Sequence, residues 1–444
     1  MTERREVVLD LPEAIQLALR MHREHHFEAA RELYQQLLQV APEHPDLQHF
    51  YGVFLCQTGA ADEGIALIRR AIAQVPDFVD FHVNLGNVLL EARRIDEAEA
   101  AYREALAIDP ACARAWNNLG AIHDAREQAA EAEQAYLKAI ELDHRLTNAH
   151  NNLGLIRWQR GDIEGAIACC AAAIGVDPED PDGHRFLGIL YATHGLPDKA
   201  AEAFRRWLEL DPDNPAARHH YAAVCADVKP ERASDAYVSY TFDRFAASFE
   251  EKLRTDLQYR APDLLRDALA ERLPAPAQQF EILDAGCGTG LCGPLLAPWC
   301  RRLVGIDLSA GMLEQARTKA CYDELHQAEL TAWLQSAGSR FHLIVSADTL
   351  CYFGPLETVL GAARSALTPG GTLAFTVERM VQASAGEGSR LSANGRYQHD
   401  PDYVARAIDA AGFTDVAIEP AELRLEGGHP VAGLVVIAAR PGGE

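Results

Sequence analysis

The sequence predicts a protein of two domains, an all-α solenoid of tandem repeats followed by an α/β domain with a doubly wound sheet of seven strands. Two observations predict this organisation. A unit of 34 residues recurs six times without a gap between residues 11 and 214, and strands alternate with helices from residue 280 onward. The length of 444 residues agrees, because one hydrophobic core rarely extends over so long a chain. We expect a solenoid over 1–228, a linker over 229–236 and the α/β domain over 237–444.

Each repeat unit has the pattern of two antiparallel helices. The units occupy residues 11–44, 45–78, 79–112, 113–146, 147–180 and 181–214, and residues 215–227 are expected to form a solvating cap helix. Proline ends the second helix at position 32 of every unit except the fourth, which has His144. Position 8, where paired helices cross closely, is always small: Ala18, Gly52, Gly86, Gly120, Gly154 and Gly188. The pattern resembles the tetratricopeptide repeat.

Asparagine recurs at one position of the three central units. Asn84, Asn118 and Asn152 occupy position 6, on the helix expected to line the concave face of the solenoid. Asparagine is a mediocre helix former, but its amide offers a donor and an acceptor together, as a peptide backbone does. One interpretation is a groove that binds a peptide or protein. The other is drift of the repeat consensus at solvated positions.

Composition and charge exclude several classes of function. The net charge of −24 argues against nucleic acid as the main partner, because phosphate binding relies on clustered Lys and Arg. No stretch approaches the roughly 18 apolar residues of a membrane span, and the polar start MTERREVVLD is unlike a signal peptide. We therefore expect a cytoplasmic protein. The ten cysteines have no zinc-like spacing, so we expect reduced thiols and no metal.

The second half has the pattern of a mostly parallel sheet. Strands are expected at 280–285, 302–307, 323–328, 341–346, 371–378, 414–424 and 430–439, with helices between the first six. The last two strands follow one another through EGGHP, a turn typical of a hairpin, so the sheet should end with an antiparallel strand. Ligands bind outside the carboxyl ends of the strands in such sheets.

A glycine-rich loop follows the first of these strands. Gly286, Gly288 and Gly290 are spaced G-x-G-x-G, whereas a dinucleotide fingerprint requires G-x-G-x-x-G, and no Gly-Lys-Ser/Thr of a phosphate loop follows. Asp284 beside the loop would repel a pyrophosphate but attract a cofactor that carries an ammonium and a sulfonium. These charges point to S-adenosylmethionine.

The motifs that follow the loop carry a family resemblance. LDAGCGTG, VGIDLS, HQAEL, FHLIVSADTLCYFG and LTPGGTLAFTVE together resemble a class I, Rossmann-like S-adenosylmethionine-dependent methyltransferase. The resemblance implies that Asp307 accepts hydrogen bonds from both ribose hydroxyls, and that S-adenosylhomocysteine is the product. It implies these cofactor-binding residues: Asp284, Gly286, Cys287, Gly288, Gly290, Asp307, Leu308, Ser309, Met312, Glu329, Leu330, Ser346 and Ala347.

The helix that precedes the loop carries an aromatic stripe. Phe242, Phe245, Phe249 and Leu253 recur at helical spacing. Core packing is one interpretation, and a lid over the cofactor is the other. Under the second interpretation Tyr259 and Arg260 would lie near the cofactor's carboxylate, and we regard both as candidate binding residues.

The acceptor side of the site is less clearly indicated. Methyl transfer needs mainly an aligned nucleophile and exclusion of water, and a base is required only when a hydroxyl or amine must lose a proton. The catalytic candidates are His399, Tyr352 and Asp348, and Arg396 is a substrate-binding candidate. His399 also suits a solvent-exposed or helix-capping role.

Three functions fit these observations. The first is methylation of a peptide or protein that the repeats recruit through Asn84, Asn118 and Asn152. The second is O-methylation of a small carboxylic acid or alcohol, with repeats that serve homo-oligomerisation or docking of a partner. The third is a non-catalytic scaffold that senses the cofactor. Neither nucleic acid nor a membrane is expected as a partner.

Overall fold

The computed structural model describes residues 9–225, 230–246, 249–250, 253, 257–382, 386–426 and 429–442. The chain divides into two compact units, Met1–Pro178 and Glu179–Glu444. The first unit contains five helix pairs. The second contains the sixth pair, the helix after it and the sheet.

The helices of the first unit alternate between 13 and 14 residues, as a strict repeat requires. Their bounds are α1 Leu11–Arg23, α2 Phe27–Val40, α3 Pro45–Gln57, α4 Ala61–Gln74, α5 Val79–Glu91, α6 Ile95–Ile108, α7 Ala113–Ala125, α8 Ala129–Leu142, α9 Thr147–Gln159 and α10 Ile163–Val176. The expected solenoid of helix pairs is confirmed.

Glycine at position 8 makes room for a large side chain at position 24 of the same pair. A Cβ on Gly86 would lie 2.4 Å from the ring of Tyr102, and one on Gly120 would lie 2.6 Å from the ring of Tyr136. Both tyrosines are fully buried. At these two pairs an aromatic ring therefore fills the space that the glycine leaves where the helices cross.

A recurring hydrogen bond joins neighbouring pairs. The side chain at position 4 donates to the backbone carbonyl at position 32 of the preceding unit. Within Met1–Pro178 these bonds are Gln48 Nε2 to Pro42 at 2.7 Å, His82 Nε2 to Pro76 at 2.7 Å, Trp116 Nε1 to Pro110 at 3.0 Å and His150 Nε2 to His144 at 3.0 Å. These bonds satisfy a carbonyl that the end of each second helix leaves without a helical partner.

The second unit begins with α11 Pro181–Thr193, α12 Pro197–Leu210 and α13 Pro215–Val224. The expectation that α13 is a solvating cap is wrong. Ala217 of α13 and Trp207 of α12 belong to the same hydrophobic core as Leu350 and Phe353 of the α/β fold. The ring of His219 also stacks on Tyr237, with centroids 3.9 Å apart. The last repeat therefore shares its core with the sheet.

The sheet has the order β3-β2-β1-β4-β5-β7-β6, with β9 antiparallel to β5 and β8 antiparallel to β9. Its strands are β1 Phe280–Ala285, β2 Cys300–Asp307, β3 Glu324–Gln327, β4 Phe341–Ser346, β5 Leu367–Arg379, β6 Ser389–Leu391, β7 Tyr397–His399, β8 Thr414–Glu426 and β9 His429–Ala439. All seven expected strands are present. The described part of the sheet adds β6 and β7, which pair beyond the carboxyl end of β5.

Helices cover both faces of this sheet. They are α14 Asp235–Phe245, α15 Ala261–Ala270, α16 Cys292–Leu296, α17 Ala310–Thr318, α18 Leu330–Ser336, α19 Glu357–Ala366 and α20 Pro401–Ala410. Successive strand residues divide between two cores, as a pleated strand requires. Leu343 and Val345 pack in one core, and Ile344 packs in the other. The strand order reverses between β1 and β4, which places a crevice at their carboxyl ends.

Candidate functional site

A cavity of about 1160 Å³, its open mouth included, lies at the carboxyl ends of the parallel strands. Its wall combines the glycine loop after β1, the end of β2, the turn after β4 and residues of α14. This is the position at which α/β sheets bind ligands. The sequence-predicted residues that line it are Gly286, Cys287, Gly288, Asp307, Leu308, Met312, Glu329, Leu330, Ala347, Asp348, Tyr352, Tyr259 and Arg396.

The glycine loop is held open by its backbone conformation and by one carboxylate. Gly286, Gly288 and Gly290 have φ of +76°, +53° and +87°, a region that favours glycine. Asp307 Oδ2 accepts from the Gly288 N–H at 2.9 Å, and its Oδ1 accepts from the Ser309 N–H at 2.8 Å. Burial raises the pKa of Asp307, and these backbone N–H groups counteract the rise. The carboxylate of Asp307 thus fixes the loop while it lines the cavity.

Asp284 lies behind the loop and outside the cavity lining. Its side chain is 1% exposed, its Oδ2 accepts from the Tyr322 hydroxyl at 2.6 Å, and its Oδ1 has no hydrogen-bond partner among the described residues. Burial raises the pKa of Asp284 to about 7, while the hydrogen bond from Tyr322 opposes the rise. Asp284 therefore carries only part of the negative charge that the sequence analysis assigned to it.

Three further predicted residues shape the wall from outside the lining. Ser309 caps α17, accepting from the Met312 N–H at 3.1 Å. Ser346 donates to the carbonyl of Ala285 at 2.9 Å. The third is Gly290, at which a Cβ would lie 2.9 Å from the ring of Tyr322. Their contacts explain why these positions need small residues.

Glu329 lines the cavity and also caps a helix. Its two carboxylate oxygens accept from the N–H groups of Thr331 and Ala332, at 3.0 and 2.7 Å. These bonds satisfy the first turn of α18. Met312, Leu308 and Leu330 line the same part of the wall, so this part can accept a flat apolar ring.

A buried cluster of charges forms the opposite part of the wall. Arg424, whose side chain is 1% exposed, donates from Nη1 to Asp348 Oδ1 and Oδ2 at 3.1 and 2.9 Å and from Nη2 to Glu378. Arg396 contacts Asp348 and Glu378 at 3.5 and 3.4 Å, both from Nη1, and its guanidinium lies 5.9 Å from the ring centroid of Tyr352. No motif in the sequence points to Arg424, which lies 76 positions from Asp348.

Asp348 is held in an uncommon backbone conformation. Its φ is +54°, and its N–H donates to Thr376 Oγ1 at 2.8 Å. Such a φ costs a non-glycine residue free energy and is common at functional sites. It lets the chain turn sharply after β4 so that Asp348 faces the two arginines.

His399 lies behind the cavity wall and does not line it. It is fully buried, and its Nε2 donates to the carbonyls of Phe353 and Gly354 at 2.9 and 3.0 Å. Burial lowers the pKa of His399 to about 4. His399 is therefore a neutral donor that fixes the turn carrying Tyr352, and it does not face the cavity as a base would.

The segment expected to be a linker forms part of the cavity wall. Its backbone pairs with the turn after β4: the Ala233 N–H donates to the Tyr352 carbonyl at 2.9 Å, and the Gly354 N–H donates to the Glu231 carbonyl at 2.8 Å. Arg232 and Phe353 form an antiparallel bridge between these bonds. As a result, Arg232 and Ala233 line the cavity.

The aromatic stripe also lies in the cavity wall. Phe242, Phe249 and Leu253 line it, and the ring of Phe242 meets Tyr352 edge-on with centroids 5.7 Å apart. Phe245 is 43% exposed. Arg260 does not line the cavity; its backbone N–H donates to the carbonyl of Leu423 at 2.9 Å. Of the two interpretations of the stripe, a covering of the site fits these contacts.

The three repeated asparagines lie in the first unit, and their amide donors bind neighbouring repeats. Asn84 Nδ2 donates to His49 Nε2 at 3.1 Å, and Asn118 Nδ2 donates to Asn87 Oδ1 at 2.8 Å. Asn152 Nδ2 donates to Asn117 Oδ1 at 3.3 Å. These bonds give the recurrence a structural role, and binding of a peptide stays a prediction.

The described residues include neither a group of metal ligands nor a helix that could span a membrane. His, Cys, Asp and Glu side chains nowhere form a group of three or more suited to a metal ion in this part of the chain. Among the described helices, none has the length and apolarity that a membrane crossing requires.

Segments in each half of the chain match models of known protein families. Residues 282–371 match the family model of a methyltransferase domain. Residues 21–85, 83–144 and 151–215 match models of the tetratricopeptide repeat. Both matches agree with the resemblances drawn from the sequence.

Three curated relatives each match between 19% and 35% of this chain. Human methyltransferase-like protein 27 is 45% identical over 85 residues, which are 19% of this chain and 34% of that protein. The malonyl-[acyl-carrier protein] O-methyltransferase of Pseudescherichia vulneris is 32% identical over 163 residues, 35% of this chain and 62% of that protein. The trans-aconitate 2-methyltransferase of Paracidovorax citrulli is 37% identical over 110 residues, 24% and 42% of the two chains. This chain therefore spans less than two thirds of each relative.

Proposed function

We propose that this chain, which carries a methyltransferase domain behind tetratricopeptide repeats, transfers the methyl group of S-adenosylmethionine to an ionised carboxylate of a small acid. The product is a methyl ester. One observation carries the choice of acceptor: the described cavity wall offers arginine to an anion but holds no group that is free to act as a base.

The residues present fit the cofactor. Asp307 presents a carboxylate to the cavity and suits the two ribose hydroxyls, since each of its oxygens can accept a further hydrogen bond besides the one from a backbone N–H. The open glycine loop suits the amino-acid part, and the apolar wall at Met312 and Leu308 suits the adenine. Bound there, the cofactor would supply a sulfonium-activated methyl group: an acceptor oxygen would bond to the methyl carbon in line as the carbon–sulfur bond breaks and S-adenosylhomocysteine leaves.

The acids of the described wall are already engaged. Asp307 and Glu329 accept from backbone N–H groups, and Asp348 accepts from Arg424. Burial raises the pKa of Tyr352 and Tyr259, so their hydroxyls stay protonated at neutral pH. The described lining includes no histidine. A hydroxyl or amine acceptor would need to lose a proton to such a group, whereas a carboxylate arrives ionised.

Arg396 is suited to hold that carboxylate. Both of its acidic contacts leave from Nη1 and exceed 3.3 Å, so the other edge of its guanidinium is available to a ligand. Guanidinium binds carboxylate with paired, charge-assisted hydrogen bonds. Phe242, Phe249 and Tyr352 surround the same space and exclude water, which strengthens the pairing.

The names of two relatives support an acidic acceptor. One is named for O-methylation of a malonyl group and the other for methylation of trans-aconitate. Both acceptors bear carboxylates. A peptide delivered by the repeats is the alternative acceptor. Comparing small carboxylic acids with Asp- and Glu-containing peptides as acceptors distinguishes the two hypotheses.

The test is acceptor profiling with the full chain. The purified protein is incubated with methyl-labelled S-adenosylmethionine and matched panels of carboxylic acids, alcohols, amines and peptides. We expect label in the acids, in products that release methanol on mild alkali as esters do. Label only in alkali-stable products, or in amines or alcohols, would contradict the proposal.

The peptide alternative has its own test. Replacement of Asn84, Asn118 and Asn152 by Ala should raise the KM for a peptide acceptor if the repeats deliver it. Under the small-acid proposal the KM for the acid stays within twofold of wild type in the same triple variant.

A further inference from the structure

We propose that the acceptor is a dicarboxylate, and that Arg232 of the segment before α14 binds its second carboxylate. This inference rests on the proposed function, because it assigns the class of acid that the same cavity takes. It is carried by two arginines, Arg232 and Arg396, that line one cavity next to Phe353 and Tyr352 of the turn after β4.

Arg232 is placed by backbone pairing. It forms an antiparallel bridge with Phe353, and hydrogen bonds on either side of the bridge join Ala233 to Tyr352 and Gly354 to Glu231. The Tyr397 hydroxyl also donates to the carbonyl of Pro230 at 2.5 Å. The position of Arg232 in the wall therefore follows from fixed backbone geometry.

The guanidinium of Arg232 has unused donors. Its described hydrogen bonds leave from Nη1 alone, to Asp235 Oδ1 at 2.5 Å and to the carbonyl of Ala233 at 3.1 Å. The side chain is 38% exposed, so solvent screens the ion pair with Asp235 and the pair is weak. A ligand carboxylate can bind the remaining edge without breaking that pair.

Three arginines among the described residues line the cavity, and they differ in how many of their donors already bind acids. Arg424 is buried and paired with Asp348 and Glu378, so it neutralises these acids. Arg396 has one edge free beside Tyr352, and Arg232 has one edge free at the neighbouring Phe353. Two free guanidinium edges in a single cavity match an acceptor with two carboxylates, of which one is methylated and the other is held.

The experiment compares acids that differ by one carboxylate. The full chain is given α,ω-dicarboxylates of increasing length and monocarboxylates of the same carbon number, and kcat/KM for ester formation is measured. A charge-assisted hydrogen bond contributes about 1.5–3 kcal/mol, so the best dicarboxylate should exceed its monocarboxylate by roughly 10- to 100-fold.

The variants assign this preference to Arg232. Arg232→Gln should reduce the ratio of dicarboxylate to monocarboxylate turnover by at least about tenfold, mainly through the dicarboxylate KM, and Arg232→Lys should restore part of it. The matched control is Arg244→Gln, because Arg244 donates to the Tyr240 hydroxyl and does not line the cavity. This control should keep the wild-type ratio. Calorimetry of S-adenosylhomocysteine binding verifies that each variant is folded.

The outcomes separate the two proposals. Ester formation with equal preference for both classes of acid, or a ratio that Arg232→Gln leaves at its wild-type value, overturns the dicarboxylate inference alone. If no carboxylate of either class is methylated, the proposed function is overturned, and this inference with it.

Discussion

Arg424 binds two acids in the interior of the second unit, Asp348 at the end of the turn after β4 and Glu378 near the end of β5. No local motif marks it in the sequence. In β8 both Leu423 and Arg424 are buried, because a register shift between Glu422 and Arg424 interrupts the alternation of the strand. A β-bulge of this kind turns consecutive side chains inward, so alternation alone could not identify Arg424 as an interior residue.

We expect Arg424→Met to destabilise the protein by about 3–5 kcal/mol, since it leaves two buried carboxylates with only the longer contacts of Arg396 to offset their charge. Chemical denaturation of the full chain measures the change. The double variant Arg424→Met with Glu378→Gln should recover part of the loss. Equal stability of Arg424→Met and wild type would show that the carboxylates of Asp348 and Glu378 do not depend on Arg424 to offset their charge.

Asp307 is predicted to bind the cofactor from a local motif that follows directly on a strand, and it lines the cavity. We expect Asp307→Asn to weaken S-adenosylhomocysteine binding roughly 10- to 100-fold, since hydrogen bonds to a charged acceptor contribute about 1.5–3 kcal/mol. Calorimetry provides the measurement. Asp263→Asn is the control, because Asp263 lies on the surface of α15 and pairs with Arg266. Unchanged affinity in Asp307→Asn would remove Asp307 from the cofactor site.

At the scale of elements, the sequence predicted strands and helices more reliably than it predicted which elements pack together. The seven expected strands have 4 to 13 residues and either alternate with helices or meet at a hairpin turn, whereas β6 and β7 have three residues each, too few to show a pattern. The segment 230–236 has a proline and mixed charge, which locally indicate a boundary. Its pairing partners lie more than 100 residues away, and local composition carries no signal for them.

This packing predicts where the chain can be shortened. A fragment that starts at residue 179 should fold cooperatively and bind S-adenosylhomocysteine, because it retains α11 to α14 and the core they share with the sheet. A fragment that starts at residue 237 removes the backbone bonds to Tyr352 and Gly354 and the stacking partner of Tyr237. Thermal unfolding should show a Tm lower by several degrees for the shorter fragment, or no cooperative transition. Equal Tm values would contradict the shared core.

At the scale of the whole molecule, buried histidines couple folding to pH. Burial lowers the pKa of His49, His220 and His399 to about 4, whereas an unfolded chain has values near 6.5. Each histidine therefore contributes stability that is present above about pH 6.5 and is lost as the pH falls towards 4. Asp284 acts in the opposite direction, since its raised pKa of about 7 favours the folded state most at low pH.

The pKa is also lowered in His22 and His219 and raised in Asp124 and Asp307, in each case mainly by burial, so the histidines outnumber the aspartates five to three among the described residues. We therefore expect the Tm of the full chain to fall between pH 6.5 and pH 4.5. The variant His399→Gln, which keeps a donor for the carbonyls of Phe353 and Gly354, should show a shallower fall. Differential scanning calorimetry across this range measures both slopes. A Tm that rises on acidification would show that the histidines are not neutral in the folded protein.

The docking of residues 230–235 also bears on how such a protein can change by recombination. A gene fusion that exchanged only the methyltransferase fold, joined at residue 237, would leave Arg232 and Ala233 with the donor of the repeats. The new chain would then combine one parent's cofactor loop with the other parent's acceptor wall. Inheritance of an intact cavity wall requires a crossover before residue 230, and a crossover upstream of α11 also keeps the core that the sixth repeat shares with the sheet.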